Sequence, residues 1–275
     1  YTHFYYSASK HFPDWDYQLG ADSIFKQLKR YIENSKLAPP TLRSNIESYV
    51  NDFHSFAKAY SQLFRNIDMD DLYKQYFLMM EFTATLYPLI VCLFHQGKLE
   101  PLIRTLEVVE MRVYKLKNTN PRRDMYHLAS DIMSVNRTTD EINQSLFNFA
   151  NNFCNDYYTK DYLSEPIDSK TSFVRYLFYK NNMVNLGQKL SLDDFRNIQV
   201  EHIFSQNPNH KIKQYGFYRE ETYSYETSRL GNLTILEKVL NKEVNNLAPA
   251  DKLEGYQKSE IKINTNLLGV LSSFN

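Results

Sequence analysis

Two stretches near the end of the chain decide how the rest is read. They are Val200-Glu201-His202-Ile203-Phe204-Ser205-Gln206 and Arg229-Leu230-Gly231-Asn232-Leu233-Thr234-Ile235-Leu236, the latter followed by Leu240-Asn241. Ile198, Val200 and Ile203 are β-branched, and the turn-forming run Asn207-Pro208-Asn209-His210 follows, so residues 198–203 are predicted as a strand. Residues 233–236 are predicted as a second short strand and 237–246 as a helix. Residues 211–228, polar and aromatic without a clear period, are expected to be loop. Strand, long loop, strand, helix places an acid, a histidine and two asparagines where the hydrolysis of a phosphodiester would need them.

That chemistry needs a deprotonated water and a means of stabilising negative charge as the phosphorus is attacked. His202 suits the first task, because an imidazole titrates near neutral pH. Glu201 and Asn241 offer oxygen ligands of the kind Mg²⁺ prefers, and Mg²⁺ keeps several waters, so two protein oxygens suffice. One constraint is visible already. Adjacent side chains on a strand face opposite ways, so Glu201 and His202 serve one site only where the strand ends or twists.

Upstream, the chain reads as helix after helix. Residues 21–32 carry Ile24, Leu28 and Ile32 on one face. After Pro39-Pro40, Thr41 is the expected N-cap of a helix to about Leu63. Residues 70–96 read as one long apolar helix stopped at Gly97. Residues 99–116, 124–135 and 140–157 complete the set, and 171–179 follow as a further helix. The best domain boundary is 162–170, with Pro166 and Ser169, dividing a helical domain (1–165) from a second domain (166–275).

Composition sets the bounds. The 275 residues contain only 7 Gly, which favours helices over turns, and 22 Tyr with 18 Phe, which favours aromatic cores. Cys92 and Cys154 form no C-x-x-C pair, which excludes a Cys-based zinc site and points to a reducing, cytoplasmic compartment. Residues 77–94 are interrupted by Glu81 and Pro88 and are too short for a membrane span. The opening residues 1–6 carry no signal-peptide pattern, and the absence of an initial Met marks the chain as a piece of something longer. The formal net charge is zero, against a generic polyanion binder, although residues 169–275 hold 14 Lys and Arg against 11 Asp and Glu.

Taken in order, Val200-Glu201-His202-Ile203, Gly231-Asn232-Leu233 and Asn241 resemble the HNH (ββα-metal) nuclease pattern. The words Arg229–Leu236, Leu240-Asn241, Lys252, Tyr256 and Ser259 resemble the C-terminal nuclease domain of GmrSD-type, modification-dependent (type IV) restriction endonucleases. Residues 102–130 are similar to the helical middle region of those proteins. The resemblance implies a mainly α chain, its helical middle or regulatory domain followed by an HNH nuclease domain with a small two-stranded β element. It implies a DNA endonuclease of anti-phage defence, dependent on Mg²⁺ or Mn²⁺. It gives His202 the role of general base and Asn232 that of orienting it, with Glu201 and Asn241 as metal ligands. Arg229, Lys238, Lys242 and Lys252 are expected phosphate contacts. One departure is Ser205, where the family commonly has a proline three residues after the base. The family's N-terminal nucleotide-dependent sensor has no counterpart here, since no Walker motif occurs, so such a domain or subunit is an expected partner.

Plainer readings stand beside these. Asn232 after Gly231 suits a simple turn, and Asn241 suits a helix surface, with Asn245 one turn on as the fallback ligand. His210 is expected in a solvated turn, and His54, His95 and His127 are structural. The alternatives to an enzyme are an HNH-like module that grips nucleic acid without cutting, and a helical protein-interaction scaffold.

Overall fold

The computed structural model describes residues 11–12, 24–134, 137–168 and 171–271. The expectations at residues 1–6, at 21–23, at Val135 and at Ser169 and Lys170 lie outside the described residues. The chain divides into two compact units, one of residues 1–73 and 82–153, the other of residues 74–81 and 154–275.

The first unit is helical. Helix α1 is Ile24–Asn34 and α2 is Pro39–Met69. The prolines at its start cost α2 nothing, since the first helical N–H groups have no partner within the helix. Ala38 therefore stands at the cap, and Thr41 lies inside the first turn. The apolar stretch expected as one helix is broken. The single turn Asp71–Lys74 runs into a π-helical segment, Gln75–Met79, which groups with the second unit, and Glu81 there adopts a left-handed conformation with φ 60°. Helix α3, Tyr87–His95, begins afresh and buries every residue from Pro88 to Leu93. Pro88 explains the break, because a proline inside a helix removes a hydrogen bond and clashes with the preceding turn, yet is at home in the first turn. Gly97, at φ 66°, ends α3 as expected.

Helix α4, Leu99–Val109, buries Leu102, Ile103 and Leu106 and packs against α6, Thr139–Phe153. Between them in sequence lies α5, Arg122–Ser134, which packs on α3. A π-helical segment, Glu110–Leu116, extends α4. Glu110 is fully buried there. It accepts hydrogen bonds from Thr83 N (2.9 Å) and Thr83 Oγ1 (2.6 Å) and pairs with Lys115 at 3.3 Å.

In the second unit, α7 (Asp156–Ser164) is capped by Asn155, whose side chain accepts from Tyr158 N. The helix expected across 140–157 is therefore two. Helix α8, Ser172–Leu186, ends at Gly187 in the left-handed region. The short α9, Leu192–Arg196, opens with a capping box between Ser191 and Asp194 and was not expected. Strand β1, Ile198–His202, pairs antiparallel with β2, Leu233–Glu237, Ile198 opposite Glu237 and His202 opposite Leu233. The ladder is lengthened at both ends by Ile203 N to Asn232 O and Lys238 N to Asn197 O, each 2.8 Å. Among the described residues, a mainly helical chain with one small two-stranded sheet is thus as expected.

The long connection is not loop throughout. It holds a 3₁₀ turn, Ile212–Tyr215, and helix α10, Glu220–Thr227, which buries Tyr223 and Thr227, four residues apart. After β2 come α11 (Lys238–Val244), the turn Ala250–Lys252, α12 (Leu253–Lys258) and an unexpected α13 (Lys262–Leu271). Helix α11 packs on both strands, and Ile203, Leu236, Val244 and Tyr256 form the core beneath it. Among the described residues no helix is long and apolar enough to cross a membrane. Both cysteines are buried thiols.

Gly255 sets the approach of α12 to α11. A Cβ on it would lie 2.3 Å from Cγ1 of buried Val244. Gly255→Ala is expected to cost about 1–3 kcal/mol of overpacking, read as a lowered denaturant midpoint. Val244→Ala in the same chain should recover part of the loss.

Candidate active site at the end of strand β1

The chain leaving β1 is held by Asn232. This side chain, 8% exposed, accepts from Phe204 N at 2.8 Å and donates to Phe204 O and Thr227 O, each at 2.9 Å. All its bonds go to backbone. Asn232 therefore holds the chain two residues beyond His202 and makes no hydrogen bond to the imidazole. Ser205, which stands where a proline was expected, pins the next step of the loop. Its Oγ donates to Asn246 Oδ1 at 2.6 Å and accepts from Asn207 N at 3.2 Å, while Tyr223 OH donates to its carbonyl at 2.7 Å. A hydroxyl with fixed partners here restricts the turn that a proline ring would otherwise restrict.

Behind the strand, Glu201 is buried at 5% exposure, and Lys252 has none. Lys252 Nζ lies 2.6 Å from Glu201 Oε1 and donates to the carbonyl of His202, also at 2.6 Å. Tyr256 OH donates to the same Oε1 at 3.2 Å. Burial pushes the Glu201 carboxyl above its usual range and the Lys252 ammonium below its own, each offset in part by the other. Burial also raises the Tyr256 phenol, which stays a donor. Lys252 cannot be a surface phosphate contact, because its charge is enclosed.

This arrangement bears on the divalent cation that the sequence implies. Among the described residues no group of three or more His, Cys, Asp or Glu side chains is placed to hold a metal. A cation on Glu201 would meet the buried ammonium. A divalent and a monovalent charge about 4 Å apart repel by roughly 8 kcal/mol at an effective dielectric of about 20. Asn241, on α11, gives its Nδ2 to Gln199 Oε1 at 3.2 Å, two residues before Glu201 on the same strand face. Asn245 stands past the end of α11 with φ 34°. As arranged, Glu201 and Asn241 do not fit a resident cation.

His202 is half-buried, and its Nε2 is shut from solvent without a hydrogen-bond partner. Burial, and next the charge of Lys252, lower its pKa to about 4. His210 is not the solvated residue expected. Both its ring nitrogens are enclosed without partners, and its ring edge meets Tyr215 at 5.0 Å between centroids. Its pKa is lowered by burial and by Lys252, against the opposing charge of Asp251. The Phe204–Tyr215 and Phe204–Phe217 ring contacts join this loop to the strand end. Of the remaining cations, Lys238 and Lys242 are exposed on α11. Arg229 is tied to Glu226 at 3.1 Å and to Ser164 O at 2.9 Å. It lines a cavity of about 430 Å³ with Phe204, Phe217, Glu226, Thr227 and Asn232.

Residues 152–275 match the family model of GmrSD restriction endonucleases, C-terminal domain. This part of the chain is thus similar to the C-terminal domain of those enzymes. Comparison with curated proteins and with solved structures returned no match.

Two outcomes are expected. Asn232→Ala removes three hydrogen bonds and leaves buried backbone groups unpaired, so stability should fall by about 2–4 kcal/mol in chemical denaturation. His202 is neutral in the fold down to about pH 4, whereas the unfolded chain protonates it near 6.5. The unfolded state then binds more protons, and stability falls as pH drops from 6.5 towards 4. Allowing for partial exposure, the loss attributable to His202 is about 2 kcal/mol. Comparing the denaturant midpoint at pH 5 and pH 7 in wild type and His202→Gln checks it, the variant showing the flatter dependence.

Proposed function

We propose that the second unit is an HNH-type (ββα) endonuclease domain that hydrolyses DNA phosphodiester bonds within a modification-dependent, cytoplasmic anti-phage restriction system. One observation carries this reading: within the segment matching the GmrSD family, His202 closes a strand of an antiparallel pair that leads into α11, with Asn232 locking the chain just beyond it. A nucleotide-dependent sensor domain or subunit is the proposed partner.

His202 acts as general base on the attacking water. With Nε2 enclosed, Nδ1 is the nitrogen proposed to take the proton. A base of pKa about 4 is weak at neutral pH. DNA corrects this in the right direction, because phosphate charge near the ring favours the imidazolium and opposes Lys252. Exposed Lys238 and Lys242 supply backbone contacts that set the register of the strand. A requirement for Mg²⁺ or Mn²⁺ belongs to the proposal.

A second reading is a domain that grips DNA without cutting it. The engagement of Glu201 by Lys252 favours it.

Relaxation of supercoiled plasmid with Mg²⁺ or Mn²⁺, with and without EDTA, decides between them. On the first reading the wild type nicks or linearises the plasmid and EDTA stops it. His202→Ala should then lose about 10²–10⁴-fold in rate with DNA affinity, read by fluorescence anisotropy, within twofold. Binding without relaxation by the wild type supports the second reading. Equal cutting by His202→Ala removes His202 from the mechanism.

A further inference from the structure

We propose that Lys252 is a positioning residue for His202, and that Glu201 is its counter-ion and not a ligand of a metal ion. The consequence for catalysis rests on the nuclease reading above; the pairing itself does not.

Lys252 sits in the short turn Ala250–Lys252 with no exposed surface. An ammonium has three N–H donors and accepts nothing, so inside a protein it must be surrounded by acceptors. Two are supplied by consecutive residues of one strand: the carboxylate of Glu201 and the main-chain carbonyl of His202, each at 2.6 Å. Tyr256, one helical turn after Lys252, adds its hydroxyl to the same carboxylate oxygen at 3.2 Å.

Gripping the His202 carbonyl fixes the peptide plane that follows this residue. Asn232 fixes the two planes after that, the first through Phe204 N and the second through Phe204 O. The backbone on the C-terminal side of His202 is therefore held by two side chains, neither of which hydrogen-bonds the imidazole. The direction in which the ring leaves the strand follows from these two anchors. Glu201 completes the device by neutralising the ammonium. Bound this way, it already has the positive partner that a metal would otherwise provide.

Four proteins test this: wild type, Glu201→Gln, Lys252→Met, and the double variant, which restores a neutral interior where Lys252→Met alone leaves a buried carboxylate without its partner. Lys252→Met should have a lower denaturant midpoint than the double variant; equal midpoints would show that Glu201 and Lys252 are not coupled. Calorimetric titration with Mn²⁺, alone and with a DNA duplex, should give wild type and Glu201→Gln affinities within twofold, or no binding to either. A tenfold or greater loss in Glu201→Gln would overturn the assignment and restore Glu201 as a ligand. In single-turnover cleavage the double variant should lose tenfold or more in rate with DNA affinity within twofold, and ¹⁵N NMR of the His202 ring should show an altered tautomer ratio. A ring spectrum and rate equal to wild type would remove the positioning role. If wild type does not cut DNA, the nuclease reading fails, and the Mn²⁺ titration, midpoints and ring spectrum still decide the pairing.

Discussion

A full positive charge with no exposed surface constrains the second unit more than any other group in it. Lys252 can stay charged only if its partners stay in place, and breaking such a buried pair from one side costs on the order of 3–5 kcal/mol. Its partners are Glu201 and the carbonyl of His202 on β1. Tyr256, from α12, also donates to Glu201, and its ring lies in the core with Ile203, Leu236 and Val244. Displacing α12 would thus strip a donor from Glu201 and open the core under β2. The close approach at Gly255 belongs to the same constraint, since α12 can deliver Tyr256 to the strand only if its backbone comes tight against Val244.

The end of β1 is consequently held from two directions by different means. From behind, an ammonium grips the carbonyl of His202. From the turn before β2, Asn232 closes a pair of hydrogen bonds with the backbone of Phe204. The second device needs an amide, because one group must both accept from N–H and donate to C=O. An aspartate lacks the donor and a serine lacks the reach. The Gly231-Asn232 pair is therefore more than a turn signal: the turn is what aims the amide.

Much of this was legible in the sequence, for a definable reason. The strands announced themselves through short runs rich in β-branched and aliphatic residues, and four of the five residues of β2 are buried, Thr234 among them. Elements whose evidence lay in one or two residues were lost. The break after Met79 was written in Pro88, but the apolar run around it hid the signal. Helix α10 buries just Tyr223 and Thr227, too few to show a period over eight residues. The candidate site divides the same way. That Glu201, His202 and Asn232 gather at one strand end followed from their order. Which face each takes did not, since a list of residue types cannot show that a lysine fifty-one positions later turns inward to meet Glu201. His210 was misread because Asn207-Pro208-Asn209 suggests solvent, whereas Tyr215 and the anchored loop close over the ring.

The buried lysine also sets the electrostatic character of the site. Its charge lowers the basicity of both His202 and His210, burial being the larger cause for each. Imidazoles kept neutral in this way cost nothing in charge desolvation, but ring nitrogens enclosed without partners do carry a cost of the order of 1–3 kcal/mol each. Such a cost persists where the surrounding packing over-determines the ring positions, and here the packing does so through Asn232, Ser205 and Lys252. The fold thus spends hydrogen-bonding capacity to hold two neutral rings beside a fixed positive charge. On the nuclease reading, a phosphate beside the rings would oppose the charge of Lys252 and favour their protonated form.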